Sequence, residues 1–139
     1  MKKLLSVSAM ALVLLAGCSS TTSYYGESAA DEDGNVSTVS FDKSGDDISN
    51  VQFDIILPEV TGDTAQTTSK KELSNAGEYG MEAATGKSWT AHVEELEAYV
   101  NDNDAFPTLD EEGKDADGVT GATIHLNGFE EAFNAATEA

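Results

Sequence analysis

The sequence predicts a small α+β domain over residues 35–139, in which an antiparallel β-sheet packs against two main helices. Three observations carry this prediction. Apolar residues alternate with polar ones between residues 36 and 57, which is typical of strands with one buried face. Two later segments repeat apolar residues at helical spacing instead. The chain has 139 residues, a length that suits one domain better than two.

The strand signal divides into a β-hairpin. An alternating pattern runs from Asn35 to Phe41, with Val36, Val39 and Phe41 as its apolar residues, and a second alternating run spans Ile48 to Leu57. The polar residues 42–47 between them predict a turn. Pro58 ends the second strand because proline cannot donate to a β-ladder. The polar, Thr-rich residues 59–69 predict a loop.

The clearest helix is predicted over residues 88–100, with Ser88 as its N-cap. One face is apolar at positions i, i+4, i+7 and i+11, occupied by Trp89, Val93, Leu96 and Val100. The opposite face is polar, and we expect the side chains there to be exposed: His92, Glu94, Glu95 and Glu97. The run Asn101 to Asp104 ends this helix, and residues 101–116 predict an acidic, solvated loop.

The second helix is predicted over residues 127–136, with Asn127 as N-cap and Glu130 completing a variant of the capping box. Its apolar side consists of Phe129, Ala132, Phe133 and Ala136.

The N-terminus has the pattern of a targeting segment. Lys2 and Lys3 precede an apolar run that ends at Ala16, too short for a confident membrane span. Residues 15–18 read L-A-G-C, which resembles the lipobox of bacterial lipoproteins. That resemblance implies a signal peptide over 1–17, lipidation of Cys18 and anchoring on the extracytoplasmic side of the cell membrane. The alternative is an ordinary secretory signal with a chance cysteine. The polar residues 18–34 predict a flexible tether.

Composition excludes several classes of partner. The chain has 26 Asp+Glu against 7 Lys+Arg, and its net charge is −19. Nucleic acids and anionic membrane surfaces both require basic contacts, so we expect contact with the membrane through the lipid alone. The single cysteine excludes an intramolecular disulfide and a cysteine-built metal site, and the rest of the sequence predicts no metal site.

The most informative stretch, called here the acceptor motif, is Asp117-Gly118-Val119-Thr120-Gly121-Ala122-Thr123. Gly121 and Ala122 allow a backbone and a phosphate to approach closely. The alternative is that this stretch is an ordinary loop of small residues before a helix. The motif resembles the signature D-x-x-[S/T]-G-A-T of the FMN-binding domain family. In that family a separate FMN transferase esterifies the last threonine to the phosphate of FMN. The resemblance therefore implies covalent FMN on Thr123, with Asp117, Thr120, Gly121 and Ala122 around it.

A second stretch, Ser69 to Met81, is similar to the K-x-E-L-G…Y-G-M segment of single-domain lipoproteins in that family. Ser74 stands where the family usually has glycine. The resemblance implies that this segment lies near the flavin, so Tyr79, Gly80 and Met81 are expected ring contacts. Tyr79 and Met81 could equally pack beneath a loop. Trp89 could stack on the ring, although a Trp on an apolar helix face is more often a core residue.

The resemblance implies an electron carrier rather than a stand-alone enzyme. Its expected donor is a membrane dehydrogenase working through quinone, and its expected acceptors are ferric iron or a partner reductase. One alternative is the FMN-bearing subunit of a separately encoded fumarate-type reductase. A third hypothesis is a non-redox surface lipoprotein that binds a ligand or a partner.

Overall fold

The computed structural model describes residues 9–16, 19–58, 67–78, 86–113 and 125–138. These residues form one antiparallel sheet in the order β1-β2-β3-β4-β5, together with three helices. The strands are β1 (Ala9–Ala16), β2 (Ser19–Glu27), β3 (Val36–Ser44), β4 (Asp47–Pro58) and β5 (Thr67–Ser69). The helices are α1 (Lys70–Asn75), α2 (Trp89–Asn103) and α3 (Asn127–Thr137). The predicted α+β class is confirmed, and α2 and α3 are the two main helices.

The predicted hairpin is β3 and β4. Its turn is tighter than the sequence indicates, because the strands continue to Ser44 and restart at Asp47. Gly45 has a φ of +62°, a left-handed conformation that glycine adopts without the penalty of a Cβ. The two strands bury one face, as alternation predicts, through Val39, Phe41, Ile48, Val51 and Phe53.

Strand β2 corrects the prediction of a tether over residues 18–34. Residues 19–26 pair with β1 on one side, and residues 22–27 pair with β3 on the other. Few apolar side chains are needed here, since main-chain hydrogen bonds to neighbouring strands order the segment. The Tyr24 ring stacks on Phe41 with 5.4 Å between centroids, and Ser23 donates a 2.6 Å hydrogen bond to Asp42. β1 lies within the predicted signal peptide.

The core lies between the sheet and the two main helices. Both apolar helix faces predicted from the sequence are buried. Helix α3 packs on β2 and β3, and α2 packs on β4. Aromatic rings join the layers: Phe53 and Phe129 lie 5.1 Å apart between centroids, and Phe41 and Phe133 lie 5.3 Å apart.

The polar face of α2 was predicted incorrectly at two residues. Glu97 is only 6% exposed and His92 only 3%, although the sequence indicates exposure for both. The reason for Glu97 is that α2 runs along the outer edge of β4. Three side chains one helical turn apart accept hydrogen bonds from outward-facing β4 N–H groups. The pairs are Glu97 with Phe53 (2.6 Å), Asn101 with Val51 (3.2 Å) and Asp104 with Ile48 (2.7 Å).

Two boundaries also differ from the prediction. Thr67–Ser69, expected in a loop, pairs with the end of β4 as β5. Helix α3 does not use Asn127 as its N-cap, because the helix already includes Asn127 and the cap position is Leu126. The predicted capping box is therefore wrong.

We predict that Gly26→Ala lowers the free energy of unfolding by about 3 kcal/mol. A Cβ at residue 26 would overlap the Ala132 carbonyl oxygen and the Ala136 backbone of α3, so the helix would have to move off β2. Gly45→Ala is the matched control. It has open space around it and should cost only about 1 kcal/mol for its left-handed φ. Denaturant unfolding of both variants measures the difference, and equal losses would contradict the close packing of α3 on β2.

Candidate cofactor-acceptor site

Most residues of the predicted site lie outside the described part of the chain. Cys18 does, as do Tyr79, Gly80 and Met81. The acceptor motif does as well, with Asp117, Thr120, Gly121, Ala122 and Thr123. Their roles stay predictions. The described residues on either side of the motif nevertheless define where it is attached to the domain.

The two ends of segment 114–124, which contains the acceptor motif, are held together at its base. The N–H of Leu126 donates a 2.8 Å hydrogen bond to the carbonyl oxygen of Gly113. Nδ1 of His125 lies 3.0 Å from the carbonyl oxygen of Glu112, so the neutral tautomer with a proton on Nδ1 donates a second bond. Gly113 has a φ of +76°, and its Cα faces the side chain of Asn127 at a distance that leaves no room for a Cβ.

Helix α3 begins directly after this base, and its N-cap residue makes no side-chain hydrogen bond to the first turn. The N-cap residue is Leu126, whose side chain has no polar atom to accept from the first N–H groups. In α1 and α2 the N-cap serines accept such bonds: Ser69 from Glu72 N–H and Ser88 from Ala91 N–H. The α3 N-terminus therefore presents amide donors and the positive end of the helix dipole next to the acceptor motif.

Trp89 occupies the core, which is the alternative that the sequence left open. It is 3% exposed, and its ring centroid lies 6.2 Å from that of Phe129 in the first turn of α3. Nζ of Lys70 lies 4.9 Å from the centroid of the Trp89 ring, within the range of a cation–π contact. A contact between Trp89 and a flavin stays a prediction.

The second family-like stretch begins as helix α1. The helix ends at Asn75, and Gly77, just beyond the C-cap Ala76, has a φ of +75° that permits a Schellman motif. Its two bonds run from Gly77 N–H to Ser74 O and from Glu78 N–H to Leu73 O. Ser74, at the position where the family usually has glycine, is buried and its hydroxyl accepts from Thr90 N–H in the first turn of α2. Serine here links α1 to α2.

The base of the acceptor segment and the start of the second stretch lie at one end of the domain. Two side-chain contacts connect them: Lys70 of α1 lies over the ring of Trp89 at the start of α2, and that ring packs on Phe129 at the start of α3. Gly128 lies against Ser37, near the beginning of β3. We call this region, defined by Ser37, Trp89, Gly113 and Leu126, the acceptor end. Chemically it offers helix amides and a lysine for an anion, while its aromatic side chains, Trp89 and Phe129, are buried in the core.

Sequence reasoning missed a polar cleft elsewhere on the domain. Its volume is about 440 Å³, and α1, α2 and β4 line it. At its base Nζ of Lys71 lies 2.5 Å from Oε2 of Glu97, and the same oxygen accepts the Phe53 N–H. Burial raises the pKa of the Glu97 carboxyl above its usual range, and the hydrogen bonds from Lys71 and Phe53 offset part of that rise. The only local signal was the spacing of Glu97, Asn101 and Asp104, which a solvated acidic face shows equally well.

Within the described residues, no group of three or more His, Cys, Asp or Glu side chains is arranged to hold a metal ion. Among the helices of the same residues, none has the length and apolar character needed to cross a membrane. Comparison of the chain with protein-family models, with curated proteins and with solved structures finds no match.

We predict that Gly113→Ala lowers the free energy of unfolding by about 1 to 2 kcal/mol, most of it the cost of a left-handed alanine, since the overlap is with the far end of the exposed Asn127 side chain, which can turn away. The double variant Gly113→Ala/Asn127→Ala should recover the steric part and keep a loss of about 1 kcal/mol from the backbone alone. Asn127→Ala by itself is the control and should be close to neutral, because Asn127 is exposed. Denaturant unfolding of the three variants measures the coupling, and strictly additive losses would contradict the contact.

We predict that Glu97→Gln removes a pH dependence of stability. The folded carboxyl has a raised pKa, so folding takes up a proton. This contribution is complete below the unfolded pKa, near 4.5, and is lost as the pH rises through the folded pKa. Glutamine does not titrate and still offers an oxygen to Phe53 N–H. Unfolding measured from pH 4 upwards should therefore show a shallower decline in the variant. Glu94→Gln, exposed on the same helix, should keep most of the decline, because Glu94 contributes the smallest of the effects that raise the Glu97 pKa. An unchanged slope in Glu97→Gln would contradict the assignment.

Proposed function

We propose that the chain is a lipid-anchored flavoprotein of the cell surface, which carries FMN covalently on Thr123 and passes electrons from a membrane donor to an external acceptor. The observation that carries the proposal is the acceptor motif, residues 117–123, located immediately before a helix with an uncapped N-terminus. The resemblance to the FMN-binding domain family supplies the identity of the cofactor.

The described residues fit a phosphate ester at this place. A phosphate linked to Thr123 is three residues from Leu126, where the α3 amides and helix dipole favour an anion. Lys70 adds a positive charge at the acceptor end of a strongly acidic chain. The closed base formed by Gly113 and Leu126 returns the segment to this helix end whatever path it follows between them.

Attachment would require an enzyme and an activated donor. Oγ1 of Thr123 would displace a leaving group from the phosphorus of FMN, losing its proton as the P–O ester forms. A flavin dinucleotide is a suitable donor because a nucleoside monophosphate then leaves. A threonine hydroxyl is a weak nucleophile, so a transferase must supply the general base and the metal that neutralises the phosphates.

Once attached, FMN would supply one- and two-electron redox chemistry, while the chain would hold, orient and partly shield it. The ester keeps the cofactor on a protein that is exported from the cell. These properties suit a relay between a quinone-linked dehydrogenase and an acceptor such as ferric iron or a partner reductase. A reductase of the fumarate type would bind its dicarboxylate through Arg, which this chain lacks.

We predict that the chain co-expressed with an FMN transferase gains the mass of one FMN less one water, on the peptide that contains Thr123. Thr123→Val, which keeps the branched shape and removes the hydroxyl, should abolish the gain and leave the unfolding transition unchanged. Thr108→Val, at an exposed threonine outside the acceptor motif, is the matched control and should keep the flavin. Intact and peptide mass spectrometry measure both variants. FMN retained on Thr123→Val would move the site, and an unmodified parent chain beside an active transferase would favour a non-redox lipoprotein.

A further inference from the structure

The distance between the proposed lipid and the folded sheet follows from the register of β2. Ser19, Ser20 and Thr21 pair only with β1, through Ala16, Leu15 and Leu14. From Thr22 onwards β2 also pairs with β3, beginning with Lys43. Cleavage ahead of Cys18 would remove β1, which ends at Ala16. Three residues would then lose their only strand partner, and the rest of β2 would keep β3.

The part of β2 that remains paired is fixed by contacts that do not involve β1. Tyr24 stacks on Phe41, and Ser23 donates to Asp42. Gly26 lies directly against the α3 backbone at Ala132 and Ala136. The processed chain would therefore have only Ser19–Thr21 between the lipidated cysteine and the sheet, which is about 10 Å of extended chain.

Thr22 and the acceptor end lie at opposite ends of the sheet. Thr22 pairs with Lys43, next to the turn between β3 and β4 at Gly45 and Asp46, which we call the hairpin end. The base of the acceptor segment lies at Ser37, six residues back along β3, or about 20 Å at the rise of a strand. Helix α2 runs between the same two ends of the domain. Trp89 at its start is at the acceptor end, and Asp104 at its end accepts a hydrogen bond from Ile48 N–H beside the hairpin turn.

We infer that the lipid anchor holds the hairpin end of the domain against the membrane and directs the acceptor end away from it, with β2 as a rigid spacer. This inference rests on the lipid anchor of the proposed function but not on the flavin. Asp46 and Asp47 at the hairpin end give no attraction to anionic lipid, so the acyl chains alone would hold the domain there.

The orientation defines the class of redox partner. A donor confined to the bilayer would be separated from the acceptor end by the length of the domain. The partner that reaches the acceptor end is therefore a protein domain that projects from the membrane, or a soluble acceptor outside the cell.

The test uses energy transfer from a single tryptophan to a fluorescent headgroup acceptor in phosphatidylcholine vesicles. Full-length chains are expressed, extracted from membranes as lipoproteins and reconstituted, all with Thr123→Val so that no flavin quenches the emission. Trp89, the only tryptophan, reports the acceptor end. The variant Trp89→Phe/Asp46→Trp reports the hairpin end, at an exposed turn residue. We expect several-fold more efficient transfer from residue 46 than from residue 89.

A control chain carries twelve Gly and Ser residues inserted between Cys18 and Ser19. This insertion adds a flexible span of about 20 Å, and transfer from the two positions should become similar. Similar transfer already in the chain without the insertion would overturn the inference. A chain that accepts FMN at Thr123 but is not retained in membranes would overturn it too, and would leave the flavin part of the proposed function intact.

Amide hydrogen exchange on the lipoprotein without the tryptophan changes provides a second measurement, in case Trp89→Phe does not fold. The amides of Tyr24 and Gly26, which face β3, should be protected, while those of residues 19–21 should exchange at once. Rapid exchange throughout residues 19–34 would show a flexible tether and refute the inference.

Discussion

The alignment of α2 with the outer edge of β4 is the constraint on which the rest of the domain depends. A strand edge without a partner leaves N–H groups that are costly to bury and attractive to other chains. Here Glu97, Asn101 and Asp104 satisfy them, at positions one turn apart on a single helix. The same contacts fix the axial position of α2, and this places Trp89 beneath the start of α3. An acidic chain thus uses its carboxylates and amides as backbone acceptors.

The features predicted correctly from the sequence are those encoded by local periodicity. The buried faces of β3, β4, α2 and α3 follow from spacings of two and of three to four residues, and the Ser88 cap follows from one residue type at one position. The prediction of an exposed Glu97 was wrong because a helix face that covers a strand edge has the same composition as one that faces water. The difference lies in the partner, which is 44 residues away for Glu97.

The predictions for the β2 segment and for the α3 cap were wrong for a related reason. A Ser- and Thr-rich segment gains order from the strand beside it, and this gain does not appear in its own apolar content. Leu126 takes the cap position of α3 although Asn127 is the better capping residue, and the Asn127 side chain lies beside Gly113 at the base of the acceptor segment. Local preference yields there to a contact with distant residues. The acceptor motif itself was recognised by resemblance alone, and its residues lie outside those described.

Removal of β1 would leave β2 as the outer strand of the sheet, with peptide groups open to another molecule. Two free copies could pair these edges in the antiparallel sense, the more stable arrangement for strands. On a membrane with the orientation inferred above, every β2 would start at the bilayer and run outward. Neighbouring copies could then meet only with their β2 strands parallel. The anchor would therefore prevent neighbouring copies from pairing their β2 edges in the antiparallel arrangement, which is the one that sheets form most readily.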